Sequence, residues 1–170
     1  MGTQTKYLSV LSSVTALVLA ITAITLPIRP VHAEGNSIVV LVNASNPINN
    51  LTVGELKQIF LSDRSKWDTG RAVAAVMVTA GAPERTAFLK IVCGMDNAAF
   101  DKYFLQASFT GKYATPPKEV SSAQGVQRIV ANSPGAIGFV KTSDFTGAAE
   151  VKAVKIDGLS ASDPLYKLKM

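Results

Sequence analysis

Few side chains in this sequence are equipped for chemistry. Its 170 residues hold one histidine, His32, and one cysteine, Cys93. His32 lies in a segment that reads as removed on export, which leaves no histidine to act as base, nucleophile or metal ligand. A lone cysteine forms no internal disulfide and no cysteine-rich metal site. Its setting, Phe88-Leu89-Lys90-Ile91-Val92-Cys93, is an apolar helical stretch in which a thiol behaves as a small buried hydrophobe. Asp63 and Asp68 flank a loop, but nothing converges on them to make an acid–base pair. No enzyme activity, metal or cofactor is expected. What remains is binding by hydroxyls and cations in loops. Five donors stand out: Ser45, Thr79, Arg85, Thr86 and Thr142. Each lies in or next to a loop that follows a strand, and ligands of open α/β sheets gather beyond the C-terminal ends of strands. The ordinary alternative for each is local capping of its own loop, and for Arg85 a solvated first-turn arginine paired to nearby acids.

The elements that must position these donors are legible. Residues 37–42 form a continuous apolar run, typical of a strand buried on both faces. The turn-rich Asn43-Ala44-Ser45-Asn46-Pro47 follows it. Thr52-Val53-Gly54-Glu55 is a capping box, and Val53, Leu56, Ile59 and Phe60 then recur at helical spacing. Residues 62–70 make a polar loop around the sole tryptophan, Trp67, expected as a packing plug. A second strand spans 72–78 and leads into the small-residue loop Thr79-Ala80-Gly81-Ala82. Pro83 suits the first helical position, Phe88, Leu89, Ile91 and Val92 give that helix its core stripe, and Gly94 caps it.

Asn97 starts a further helix with Phe100, Tyr103, Phe104 and Ala107 on one face. The prolines Pro116 and Pro117 end a loop. Residues 123–141 then read as helix, turn and strand. Ser121 and Gln124 form a capping box, Ala123, Val126, Ile129 and Val130 the buried face, and Pro134-Gly135 the turn. In the strand over 136–140, Gly138 points to a close backbone approach. Residues 151–156 alternate apolar residues with lysine, as in a half-exposed edge strand. Residues 159–170 read as a loosely attached basic tail. Strands alternating with helices predict an α/β sandwich around a mixed sheet.

The N-terminus is different in kind. Residues 8–26 are apolar and uncharged, Lys6 precedes them, and Val31-His32-Ala33 supplies the small residues of a signal-peptidase site. Residues 1–33 are therefore expected to be a signal peptide, cleaved near Ala33, with a periplasmic or otherwise exported product that meets the membrane only during export. Cleavage removes Lys6 and Arg29 and lowers the formal charge of +5 by two. The remaining mild positive balance is compatible with anions. No Lys/Arg-dense run accompanies it, so nucleic acid is not an expected partner.

Several stretches together carry a resemblance: Leu51-Thr52 with Ile59-Phe60, the Trp67 loop, Phe109-Thr110-Gly111 with Pro116-Pro117, and Gly135-Ala136-Ile137-Gly138-Phe139. In this order they resemble the substrate-binding proteins of phosphate ABC transporters, of the periplasmic-binding-protein-like class, and more closely its short single-lobe members. The similarity spans residues 37–158, within a domain expected over 34–158. It implies a single lobe with a central mixed sheet flanked by helices. It also implies a solute-binding module for phosphate or another small oxyanion, serving an ABC-type uptake or sensing system with a permease or envelope partner.

In the full-length family two lobes close on the anion. It is held by Ser/Thr hydroxyls and by N–H groups at helix N-termini, with an arginine and an acid completing the site. This chain departs from that pattern twice. The glycine/serine-rich loop of the first lobe has no counterpart. Where the family has Arg-x-x-x-Ser-Gly-Thr, this chain has Val78 in place of the arginine and Ala82-Pro83-Glu84 in place of Ser-Gly-Thr. Glu84 brings a negative charge that suits a helix start but repels phosphate. The other expectation is thus an envelope interaction or adaptor domain that keeps the fold and has lost anion binding.

Overall fold

The computed structural model describes residues 37–111 and 113–170; the predicted signal peptide lies outside the described residues. Six strands and four α-helices follow one another as β1 (Ile38–Asn43), β2 (Asn50–Leu51), α1 (Val53–Phe60), β3 (Ala74–Val78), α2 (Pro83–Phe88), α3 (Asn97–Phe109), β4 (Lys118–Val120), α4 (Ala123–Asn132), β5 (Ala136–Lys141) and β6 (Val151–Ile156). The strands form one mixed sheet in the order β2-β6-β1-β5-β3-β4. β1 runs antiparallel to both of its neighbours, β5 and β6. β3 is parallel to β5 and to β4, and β2 is parallel to β6.

Helices cover both faces, which is why β1 is apolar at every position but its last. Ile38, Val40 and Val42 point into the core under α1, α2 and α3, while Val39 and Leu41 point into the core under α4, as the two-residue alternation of a strand requires. The larger core is keyed by aromatic rings: Phe88 stacks on Phe139 at 3.9 Å and meets Phe60 edge-on at 4.7 Å. Cys93 is buried there, and burial pushes its thiol up to about 11, so it stays protonated.

Local signals place the elements. The Thr52–Glu55 capping box closes in both directions. The backbone N–H of Thr52, then its hydroxyl and Arg64, hold the Glu55 carboxyl below its ordinary pKa. Trp67 is buried and donates through its indole N–H to the Gly135 carbonyl at 2.9 Å, so it plugs the core as expected. A Cβ on Gly138 would lie 2.5 Å from Val126 Cγ1; the glycine lets α4 lie directly on β5.

Several expectations are corrected. The α4 N-cap is Ser122, accepting from the Gly125 N–H, not Ser121, whereas α3 starts at Asn97 as expected, with Asp96 as its N-cap. The helix through Phe88 continues as a π-helical turn over Leu89–Cys93 before Gly94 caps it. Strands β2 and β4 were not foreseen, being two and three residues long. β6 is not an edge strand, because β2 pairs with its C-terminal end. The last residues are not loose. Tyr166 and Leu168 are buried, the Leu168 carbonyl accepts from the Ile38 N–H at 2.8 Å, and the Tyr166 hydroxyl donates to the Ile38 carbonyl at 2.9 Å. Two apolar anchors and the start of β1 tie this segment to the sheet.

Candidate functional site

The five predicted donors do not come together. Because β1 runs opposite to β3 and β5, its C-terminal end lies at the other end of the sheet from theirs. The register makes this explicit: Ile38, which opens β1, sits opposite Lys141, which closes β5. Ser45 is thus separated from Thr79 and Thr142 by the length of β1, roughly 20 Å at about 3.4 Å per residue. Its hydroxyl donates to Asn43 Oδ1 at 2.6 Å. Asn43 in turn donates to the carbonyls of Val130 and Ala131 at 2.9 and 2.7 Å, capping the end of α4. Thr142 follows β5, and both its N–H and its hydroxyl donate to the Ser37 carbonyl at 2.9 Å. Thr79 is exposed after β3, with its N–H on the Val120 carbonyl at 2.9 Å.

Arg85 is the largest departure from the sequence reading. It is not solvated: it is 0% exposed. It sits in α2 directly after β3, and its planar fork is spent inside the protein. Nε donates to Asn97 Oδ1 at 2.8 Å, and Nη1 donates to the Val78 carbonyl at 3.2 Å and to Glu119 Oε1 at 2.5 Å. Nη2 reaches Asp101 Oδ1 at 3.5 Å, and the guanidinium lies 5.8 Å above the Phe100 ring. The same network takes in Thr86, whose hydroxyl accepts from Asn97 Nδ2 at 3.2 Å. Arg85 therefore joins β3, β4, α2 and α3, as a fixed, multiply bonded guanidinium can.

Its neighbour Glu84 is also buried, at 6% exposure. Its partner is Lys141, with Nζ 3.6 Å from Oε2. The end of the sheet formed by β3 and β5 thus gathers two cations, Arg85 and Lys141, and three carboxylates, Glu84, Asp101 and Glu119. A net negative cluster repels anions. Asn97, Asp101 and Glu119 were not among the predicted site residues. Nothing local marks them, since they meet Arg85 only through the packing of α3 and β4. A cavity of about 340 Å³ lies at the opposite end of β3, lined by Ser62, Arg64, Tyr113, Pro116 and Lys118 among others. It holds none of the five predicted donors.

The architecture has clear counterparts among solved structures. A protein assigned as a phosphate ABC transporter substrate-binding protein from Clostridium perfringens, solved with bound phosphate, is 22% identical over 74% of this chain and 46% of its own, with a TM-score of 0.59. An ABC-type phosphate transport receptor from Vibrio cholerae is 19% identical over 74% of this chain and 48% of its own, at 0.59. PstS from Borrelia burgdorferi is 11% identical over 78% and 54%, at 0.61. The fold is that of phosphate ABC transporter substrate-binding proteins. This chain spans about half the length of the structures it matches, as a single lobe would. No protein-family model matches the sequence, and no curated protein does. The likeness is thus one of fold, with the residues at the end of β3 left to decide function.

Proposed function

We propose that this chain is an exported module built on one lobe of the phosphate-binding-protein fold, and that it acts as an interaction domain of the cell envelope rather than by capturing a free oxyanion. One observation carries this reading: Arg85, the only predicted donor with a full positive charge, is wholly buried and committed to Asn97, Val78, Glu119 and Asp101. An arginine so engaged is not free to grip a ligand bidentately. In the two-lobe proteins that this chain resembles, a second lobe covers the face above the anion. Here that face would meet a protein partner, such as an ABC permease or another envelope protein.

The test is calorimetric titration of the protein lacking residues 1–33 with phosphate and sulfate, paired with thermal melting. Absence of heat and of a melting shift at millimolar anion is expected. A micromolar response would overturn the reading. The second reading is solute binding, of phosphate or a similar oxyanion, for uptake or sensing. It is favoured by the fold neighbours, one of them solved with bound phosphate. Under it, the exposed Thr79 and the part-exposed Lys141 would supply the donors, and the same titration would give saturable heat.

A further inference from the structure

We propose that Glu84 is the residue that sets what this end of the sheet accepts. Its carboxylate is a resident anion clasped by Lys141, and removing it opens a site for a free oxyanion of phosphate size or smaller. The inference rests on the reading that the unsubstituted protein does not take up oxyanions.

Three observations point to Glu84. First, the side chain is 7% exposed and turns inward from the first turn of α2, and Oε2 is buried with no hydrogen-bond partner. Within the protein, that oxygen has a charge partner but no hydrogen-bond donor, a state in which few native groups are left. Second, the charge that holds it is the Lys141 ammonium at 3.6 Å, beyond hydrogen-bond length but within ion-pair range. Third, Arg85 next door cannot substitute, because its donors are already engaged by four other residues. The Lys141 side chain is 32% exposed, so the ammonium reaches solvent on one side and Glu84 on the other. Truncating Glu84 would leave a cation beside a hole of carboxylate shape with a route to water. A small anion can enter such a hole and regain the lost ion pair, with hydrogen bonds to a charged donor that Glu84 Oε2 itself lacks.

The experiment uses the protein without residues 1–33 in four forms: unsubstituted, Glu84→Ala, Glu84→Gln, and Glu84→Ala with Lys141→Ala. Each is titrated with phosphate, sulfate and formate by calorimetry, with melting followed by circular dichroism. Glu84→Ala is expected to bind phosphate and formate at least about tenfold more tightly than the unsubstituted protein, as a charged hydrogen bond gained implies. The added Lys141→Ala should abolish the gain. Glu84→Gln frees the Lys141 charge without opening the hole, and should bind more weakly than Glu84→Ala but more tightly than the unsubstituted protein. A folded Glu84→Ala variant with unchanged affinity overturns the inference, as does a gain that survives Lys141→Ala. If Glu84→Ala does not fold, an unchanged Glu84→Gln overturns it. Tight binding by the unsubstituted protein overturns the proposed function instead, and that result is read from a separate arm.

Discussion

Two helix–strand units of this molecule are built on opposite principles. The α4–β5 unit is joined by apolar packing and by absent side chains. Gly138 lets Val126 rest on the strand, and Gly135 lets the turn press against Ala72. The β3–α2 unit instead buries two consecutive charges, Glu84 and Arg85, and neutralises them with residues from α3, β4 and β5. Close packing is insensitive to what lies outside. Buried ion pairs add little net stability compared with apolar packing, but losing one partner strands the other and is costly. The contrast sets a unit held by shape against a unit held by charge.

The largest effect is expected where the charges are deepest. Arg85→Ala removes bonds to Asn97, Val78 and Glu119 at once. It should destabilise the protein by about 3 kcal/mol, the low end for breaking a buried pair, because Glu119 and Asp101 are themselves open to water. Arg85→Lys should recover less than half of this, since a single ammonium cannot span the same acceptors. Urea denaturation measures both. Full recovery by lysine would mean that only charge matters at this position, and the β3–α2 unit would then be less specific than its geometry implies.

The next effect tests the other unit. A Cβ on Gly135 would overlap the Ala72 carbonyl oxygen, and backbone cannot rotate away. Gly135→Ala should cost about 2–3 kcal/mol, toward the upper end for overpacking. Gly138→Ala should cost less, because its nearest obstacle, Val126 Cγ1, belongs to a side chain. If Gly138→Ala were the more damaging of the two, the α4–β5 contact would be tighter than the turn, and the order of rigidity in this unit would reverse.

The units also differ in how far the sequence announces them. Gly138 and Pro134-Gly135 are local signals that read correctly, as does the apolar face of α4 except that Ile129 is only half-buried and Gln127 is buried as well. The buried state of Arg85 is not local: Glu119 lies 34 residues away on a strand too short to carry a pattern. The direction of β1 is no more local. An apolar run buried on both faces looks the same either way up, so Ser45 could not be assigned to an end of the sheet. Pairing to a two-residue strand hides the position of β6 in the same way. Tyr166 and Leu168 lie in a segment that also carries Leu165 and Met170, which stay exposed, and only the contact with Ile38 marks the first two as anchors.

The smallest effect compares the two helix starts directly. The α4 N-cap, Ser122, accepts from the Gly125 N–H at 3.1 Å. The α2 N-cap, Ala82, has the same extended backbone but no side chain able to accept. Ser122→Ala should therefore cost about 1 kcal/mol, and Ala82→Ser should gain up to about 1 kcal/mol. The second value carries the sharper information. A serine hydroxyl at residue 82 would compete with Glu84 for the free N–H groups of the first turn, where the carboxylate is already favoured. A gain near the full cap value, measured by urea denaturation, would mean that Glu84 does not cap α2 and that its carboxylate is held by Lys141 alone. A gain near zero would mean that Glu84 already serves the helix start, and the two units would then share a capping device after all.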